Sequence, residues 1–307
     1  MQDFWTVAEQ VAVLFILISV GYICGKFQII REDAAKVMAD IVLYFATPCV
    51  IIQSFQREYH PELLTRLLVS LAASLGLHVF SIIAALLLFS DRDDARRKVL
   101  RFAAVFSNAG FMALPLQQAV LGADGVFYGA AYVAVFNLVI WSWGLIEVSG
   151  SLRTLSVKKL VFNPGVIGLV VGFILFLARI TLPEIIAAPV GHLANLNTPL
   201  PMLIIGFHLS HTSVKTVLRD HRALFGVFIR LVAVPLVILG LLWLCGIRGT
   251  MLVAFVIAVS APVAAATTMF ATKYGADTSL SVNLVSLSTL LSILTMPLIV
   301  ALSKVIS

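Results

Sequence analysis

Long apolar runs of about twenty residues, separated by short polar links, constrain this chain more than any other feature. A bilayer core is ~30 Å thick and a helix rises 1.5 Å per residue, so a spanning helix needs roughly 20 apolar residues. Ten such runs are read, at about 5–25, 36–55, 63–89, 98–121, 125–149, 164–182, 190–211, 222–246, 250–273 and 279–304. Only 12% of the residues are charged, about half the share in a soluble domain, so most of the surface faces something other than water. The expected fold is an all-α integral membrane protein of ten transmembrane helices. The first run does not read as a cleavable leader, because no Lys or Arg precedes it and Lys26, Arg31 and Lys36 follow it.

The formal net charge of +6 lies in the links between runs, a pattern that orients a membrane protein and gives no reason to expect nucleic acid. One side collects Lys26, Arg31, Lys36, Arg92, Arg96, Arg97, Lys98, Arg101, Arg153, Lys158, Lys159, Lys215, Arg219, Arg222, Arg230 and Lys273. The other has only Arg57, Arg66, Arg179, Arg248 and Lys304. This places the odd-numbered links in the cytoplasm and both termini on the extracytoplasmic side of a bacterial inner membrane. Cys24, Cys49 and Cys245 are isolated and lack metal-ligand spacing.

An internal repeat appears at an offset of 153. Pro48 maps to Pro201, Ile51-Ile52 to Ile204-Ile205, Arg66 to Arg219, Phe102 to Phe255, Ser107 to Ser260, and Gly122-Ala123-Asp124 to Gly275-Ala276-Asp277. The halves are then residues 1–150 and 163–307, joined by a cytoplasmic linker at 151–162. Five helices per half is an odd number, so the second half enters the membrane with opposite polarity. Such inverted repeats build secondary transporters, whose two access states arise when the halves exchange conformations.

The matched runs 4 and 9 are both interrupted. One reads Phe106-Ser107-Asn108-Ala109-Gly110-Phe111-Met112-Ala113-Leu114-Pro115, the other Val259-Ser260-Ala261-Pro262-Val263-Ala264-Ala265-Ala266-Thr267-Thr268. Gly and Pro break helices, and a break at membrane depth persists only inside protein or beside a wet cavity. The restarted helices offer free N–H groups with partial positive charge, which suit a carboxylate. Asn108, Ala109, Gly110, Ser260, Ala261 and Thr267 are therefore the candidate binding residues, with Pro115 and Pro262 fixing the breaks. The Asn108 amide either holds a substrate oxygen or caps the broken helix. Gln117 and Gln118 are expected to be partly exposed.

Polar and ionisable groups within spans are further candidates. Glu147 and Arg230 could pair, or Arg230 could attract an anion. His78 could carry a proton or make an interhelical hydrogen bond. Asn137 and Asn283 line a path or join helices. No phosphate-cradling loop, metal cluster, nucleophile elbow or mid-membrane carboxylate pair is found. That speaks against an ATP-driven pump or an enzyme, and no cofactor or metal is expected.

At these breaks the sequence resembles the auxin efflux carrier family of bacterial and plant transporters, which includes the plant PIN carriers. The resemblance rests on Asn108 through Pro115 followed by Gly122, Asn163-Pro164, Thr198 through Gly206, Ala261-Pro262, Phe270-Ala271, Tyr274 through Asp277, and Pro297. It implies the fold shared with bile acid sodium symporters, in which helices 1, 2, 6 and 7 form an often dimeric scaffold. Helices 3–5 and 8–10 would form a moving transport domain, and helices 4 and 9 would cross at their breaks with the substrate there. It further implies small carboxylates such as malonate, malate or auxin-like acids. The plant carriers have Asn-Pro-Asn at the first break, where this chain has Asn108-Ala109-Gly110. The symporters place an acidic sodium ligand where this chain reads Ser260-Ala261-Pro262. The reading is a carrier of small organic anions working by an elevator-like or rocking alternation. A sodium-coupled symporter is the alternative, and a membrane ligand sensor stands further off.

Overall fold

The computed structural model describes residues 2–155, 162–211 and 220–307, with side chains from Glu9 onward within those stretches. Lys158, Lys159, Lys215 and Arg219, and the middle of the 151–162 linker, lie outside the described residues. Among the described residues the chain forms helices and turns and no strand, with one isolated bridge between Ser107 and Val263.

The first run is α1 (Gln2–Lys26). The second joins α2 (Glu32–Ile41), a π-turn (Val42–Ala46) and α3 (Thr47–Ser54). α4 (Pro61–Leu88) is continuous. α5 (Asp94–Val105) stops short, and the chain restarts in a π-turn (Ala109–Ala113) leading to α6 (Leu114–Val139). α6 turns at Gly122, whose φ of 63° a side-chain-bearing residue would resist. A further π-turn (Ile140–Gly144) leads into α7 (Leu145–Ser149). Next come α8 (Pro164–Leu177), α9 (Glu184–Asn195) and α10 (Pro199–Ser210). α11 (His221–Phe228), a π-turn (Ile229–Ala233) and α12 (Val234–Leu244) form one run. The chain closes with α13 (Gly249–Ser260), α14 (Ala266–Tyr274) and α15 (Thr278–Ile306). The single helix expected over 190–211 is thus two, α9 and α10, interrupted ahead of Pro199.

Among the described residues, six helical runs are long and apolar enough to cross a membrane: Glu9–Lys26, Glu32–Ser54, Pro61–Leu88, Ala109–Ser149, His221–Leu244 and Thr278–Ile306. Pro164–Leu177 and Gly249–Ser260 are apolar but shorter. The outward faces of α1 and α4 expose Ile16, Val20, Ile23, Leu68, Leu75 and Leu87, as a lipid-facing surface requires. Helix starts follow local chemistry. The side chains of Asp93, Asn163, Asp220 and Asp277 each accept from first-turn N–H groups of the helix that follows.

Three of the π-turns end two residues before a proline: Pro48, Pro115 and Pro235. Proline cannot donate to the carbonyl four residues back and its ring crowds that carbonyl, so the preceding turn widens.

Close packing uses small residues. A Cβ on Gly206 would meet the Ile18 carbonyl oxygen at 2.0 Å, and one on Gly21 would meet that of Leu203 at 2.3 Å, so α1 and α10 touch backbone to backbone. Gly168 lies against Pro48 and Gly172 against the Phe55 ring, seating α8 on α3. In lipid, where apolar association gains nothing from expelling water, such contact is the main source of helix adhesion.

Polar contacts gather at two ends of the molecule. Near the end of α4, Arg96 joins Asp220 (2.8 Å) and Asp277 (3.7 Å), Arg101 joins Glu147 (3.2 Å), and Arg222 pairs with Asp91. At the start of α4, Arg57 pairs with Asp124 at 2.6 Å, Arg179 lies over the Tyr59 ring, and Gln56 accepts from the Leu182 N–H. α4 has 28 residues, so these clusters are separated by a helix about 42 Å long. The Asp220 carboxyl would be raised by its burial, but hydrogen bonds from Arg96 and from helix N–H groups outweigh this and hold it below the usual carboxylate range.

Candidate functional site

α5 and α13, twelve residues each, end at the two breaks. After Val105 the chain runs extended through Phe106 and Ser107, and after Ser260 it runs extended from Ala261. The two extended pieces lie antiparallel. The Asn108 N–H donates to the Pro262 carbonyl at 2.7 Å, and the Ala264 N–H donates to the Phe106 carbonyl at 3.0 Å. The Val263 N–H is taken by Ser288 Oγ of α15 at 3.0 Å. Each break therefore satisfies backbone groups that the other leaves open. An unpaired group in hydrocarbon costs several kcal/mol, which explains why the breaks occur together and face each other.

The C-terminal ends of the two half-helices share a cation. Arg230, 1% exposed, donates from Nη1 to the Ala104 carbonyl at 3.2 Å and from Nη2 to the Val259 carbonyl at 2.7 Å. Nε and Nη2 both reach the Ala261 carbonyl at 3.3 Å. The expected pairing of Glu147 with Arg230 is not formed. Arg101 occupies Glu147 instead, because both lie at the polar end of the helices while Arg230 reaches inward.

The remaining candidates separate by partner. Asn108 is 7% exposed and makes no side-chain cap hydrogen bond at the restart, so the capping role is not the one it plays. Ala109 and Gly110 open the π-turn that follows it. Ser107, one residue earlier, is fully buried, and its Oγ makes no well-formed hydrogen bond but lies beside the Tyr132 hydroxyl. In α14, Thr267 is likewise buried with its Oγ1 unpartnered. Ser260 differs: its Oγ is committed to the Val256 carbonyl of its own helix at 2.6 Å, leaving it no donor for a ligand. Pro262 lies within its break. Pro115 does not, since it stands in the first turn of α6, roughly two turns beyond Asn108.

His78 of α4 bonds the Ser74 carbonyl through Nδ1 at 2.8 Å and stacks on Tyr132 with ring centroids 4.9 Å apart. Its Nε2 is buried without a partner, so the expected interhelical hydrogen bond is absent. Tyr132 neighbours both Ser107 and Arg230. Asn137 donates to the Val133 carbonyl of its own helix at 2.9 Å and packs against Gly165 of α8. Asn283 is half-buried on α15. Gln117 is buried, not partly exposed, because its Nε2 crosses to the Ala254 carbonyl of α13 at 2.8 Å. Gln118 is exposed.

Sequence reasoning missed a polar cavity of about 230 Å³ between α3, the start of α6 and the α9–α10 junction. Gln53, Ser54, Gln118, Asn195, Asn197 and Thr198 supply its hydrogen-bonding lining, and Pro115 and Ala123 its α6 wall. Asn197 is held by Thr47 Oγ1 at 3.1 Å. The signal was available, as Asn195-Leu196-Asn197-Thr198-Pro199 is a polar, proline-terminated patch inside an apolar run.

The family described as Membrane transport protein matches residues 6–300. An uncharacterized transporter of Methanothermobacter thermautotrophicus is 26% identical over 296 residues, covering 94% of this chain and 96% of the relative. An uncharacterized transporter of Methanocaldococcus jannaschii is 24% identical over 317 residues, with 94% and 96% covered. With the match running over nearly the whole chain and both relatives matched almost end to end, this multi-pass membrane protein belongs to the membrane transport protein family, that of the auxin efflux carriers.

Proposed function

We propose that the chain is a secondary transporter that carries small organic anions, carboxylates of the malonate or malate kind, by alternating access at the crossing of the two breaks. The observation that carries this is the crossing itself. Two interrupted helices pair through their backbones, and in the residues flanking that pairing the Asn108 amide makes no cap hydrogen bond, Thr267 Oγ1 is buried without a partner, and Ser107 Oγ lies beside the Tyr132 hydroxyl. Among the first-turn N–H groups of the restarted helices, those of Ala109, Met112, Thr267 and Thr268 reach nearby carbonyls, and those of Gly110, Phe111 and Ala266 lack the carbonyl that a continuous helix would provide. Hydrogen-bond donors and helix N-terminal ends favour a carboxylate.

The ten-span inverted repeat is part of the same proposal. In its support, α5 and α13 have equal length and end 155 residues apart, at Val105 and Ser260, within two residues of the sequence offset of 153. The equivalent aspartates also lie at opposite ends of α4, Asp124 with Arg57 and Asp277 with Arg96. The cluster around Arg96 holds the lysine- and arginine-rich links, so it is assigned to the cytoplasm of a bacterial inner membrane, with both termini outside. Helices 1, 2, 6 and 7 would be the scaffold, a homodimer surface included, and helices 3–5 and 8–10 the moving domain. The polar cavity lies between members of the two sets and offers a route to the crossing.

Thermal stabilisation of the purified protein by acetate, malonate, malate and indole-3-acetate, with and without sodium and at two pH values, tests the substrate class. A ligand bound only by the folded state raises the melting temperature by mass action. Stabilisation by a carboxylate is expected; none from any of the four would refute the anion reading. A strict sodium requirement would favour the sodium-coupled alternative.

A further inference from the structure

We propose that Arg230 is the positioning and specificity-determining residue of the crossing, clamping the ends of both half-helices and giving the site the positive charge that selects anions. The inference rests on the crossing being the substrate site. Its starting point is an electrostatic difficulty. α5 and α13 bring their C-terminal ends together, and each such end carries roughly half a negative charge. Side by side in a water-poor interior they repel. One guanidinium resolves this for both, since its planar fork reaches Ala104, Val259 and Ala261 at once. A lysine ammonium presents no such fork. Arg230 stands in the π-turn Ile229–Ala233, which precedes Pro235, and helices of this kind carry such turns often at functional positions.

The second half of the inference concerns what the carbonyls leave over. They are dipoles, so they solvate the guanidinium without cancelling its formal charge. Among the described residues no carboxylate lies within ion-pairing distance of Arg230, and Glu147, the acidic residue expected beside it, is engaged by Arg101. A buried charge without a counter-charge is unfavourable. A carboxylate arriving at Asn108 and Thr267 supplies the missing charge, whereas a neutral or cationic solute does not. Arg230 itself need not touch the substrate. Its charge acts across the few residues of the break, and at roughly 10 Å with an effective dielectric near 20 that is worth about tenfold in affinity.

The clamp and the charge are tested separately on full-length protein in detergent. For the clamp, amide hydrogen exchange is followed at Val105–Asn108 and Ala261–Ala264 in wild type, Arg230→Lys and Arg230→Gln. Faster exchange there in both variants, with distant helices unchanged, is expected; wild-type exchange in Arg230→Gln would overturn the clamp. For the charge, the probes are malonate and its neutral diamide, malonamide, titrated by calorimetry. Wild type is expected to bind malonate and not malonamide. Arg230→Gln should weaken malonate about tenfold or more, while Arg230→Lys should restore affinity but not maximal uptake in proteoliposomes. Equal binding of malonate and malonamide by wild type would overturn charge selection even if neither variant folds. Wild-type malonate affinity in Arg230→Gln would overturn it while leaving the carboxylate reading intact. Binding of neither probe by wild type overturns charge selection together with that reading, and leaves the clamp to the exchange data.

Discussion

Replacing Gly206 by alanine tests how the helices adhere. The new methyl would lie 2.0 Å from the Ile18 carbonyl oxygen and 2.6 Å from the Tyr22 nitrogen, where ordinary contact begins at 3.4 Å. The shortfall against the oxygen is about 1.4 Å, and both neighbours are backbone, so no side chain can swing aside. α10 must move away from α1. That opens the contacts of Gly21 with Leu203 and of Gly25 with Ser210 along the same face. A radial gap of 0.5–1 Å forfeits a quarter to a half of each van der Waals well, and overpacking typically costs about 1–3 kcal/mol. We expect a loss near the upper end of that range, about 2–3 kcal/mol, since lipid offers no hydrophobic compensation. Gly76→Ala is the control. It lies inside α4 with nothing within 4 Å of its Cβ position, so alanine should be neutral or stabilise by up to about 1 kcal/mol through helix propensity. The assay is reversible unfolding of the purified protein in mixed micelles. If Gly206→Ala proved as stable as Gly76→Ala, the backbone-contact account of the α1–α10 pair would be wrong.

Three further outcomes follow from named contacts. A double-mutant cycle on Arg101 and Glu147, whose side chains are 18% and 14% exposed, should give a coupling of about 1–2 kcal/mol in the same unfolding assay, and additivity would deny the pair. Asp220 has a folded-state pKa below its unfolded value of about 3.9, so its contribution is fully present above that pH and is lost as pH falls through the folded value. The melting temperature should therefore drop more steeply between about pH 4 and 3 in wild type than in Arg96→Gln; parallel curves would remove Arg96 as the cause. Gln118→Trp places a bulky ring in the polar cavity from an exposed position. Uptake of malonate by proteoliposomes should fall at least about fivefold while stability stays within roughly 0.5 kcal/mol of wild type, and undiminished uptake would exclude this cavity from the path.

The apolar runs were legible because they depend on local chemistry, and the residues that cap their helices carry a local signal of the same kind. Asn163 and Asp277 begin helices where a short polar side chain precedes an apolar run, whereas Asp93 begins one whose first turns, Asp94 to Lys98, are charged. The breaks were legible too, from Asn108-Ala109-Gly110 and Ala261-Pro262. What the sequence could not supply was how each break is satisfied, since hydrogen bonds between Asn108 and Pro262 and between Ala264 and Phe106 join residues about 150 positions apart. Arg230 read as a charge in search of a carboxylate. Its partners are carbonyls, groups that every residue possesses and that no pattern marks. Gln117 read as peripheral, and only the approach of α13 gives it the Ala254 carbonyl. The π-turns ahead of Pro48, Pro115 and Pro235 do have a local cause, in the missing proline N–H, although a proline alone does not distinguish a widened turn from a full break such as that before Pro199.

The account stands most directly on the Asn108 amide. It is predicted to bind substrate and does not cap its helix, so Asn108→Ala should leave folding untouched and remove transport. The measurement is uptake of radiolabelled malonate by proteoliposomes containing wild type or Asn108→Ala, with unfolding of both followed in parallel. Uptake reduced at least about tenfold at wild-type stability is the predicted result. Uptake at the wild-type rate by the folded variant would contradict the placing of the substrate at the crossing.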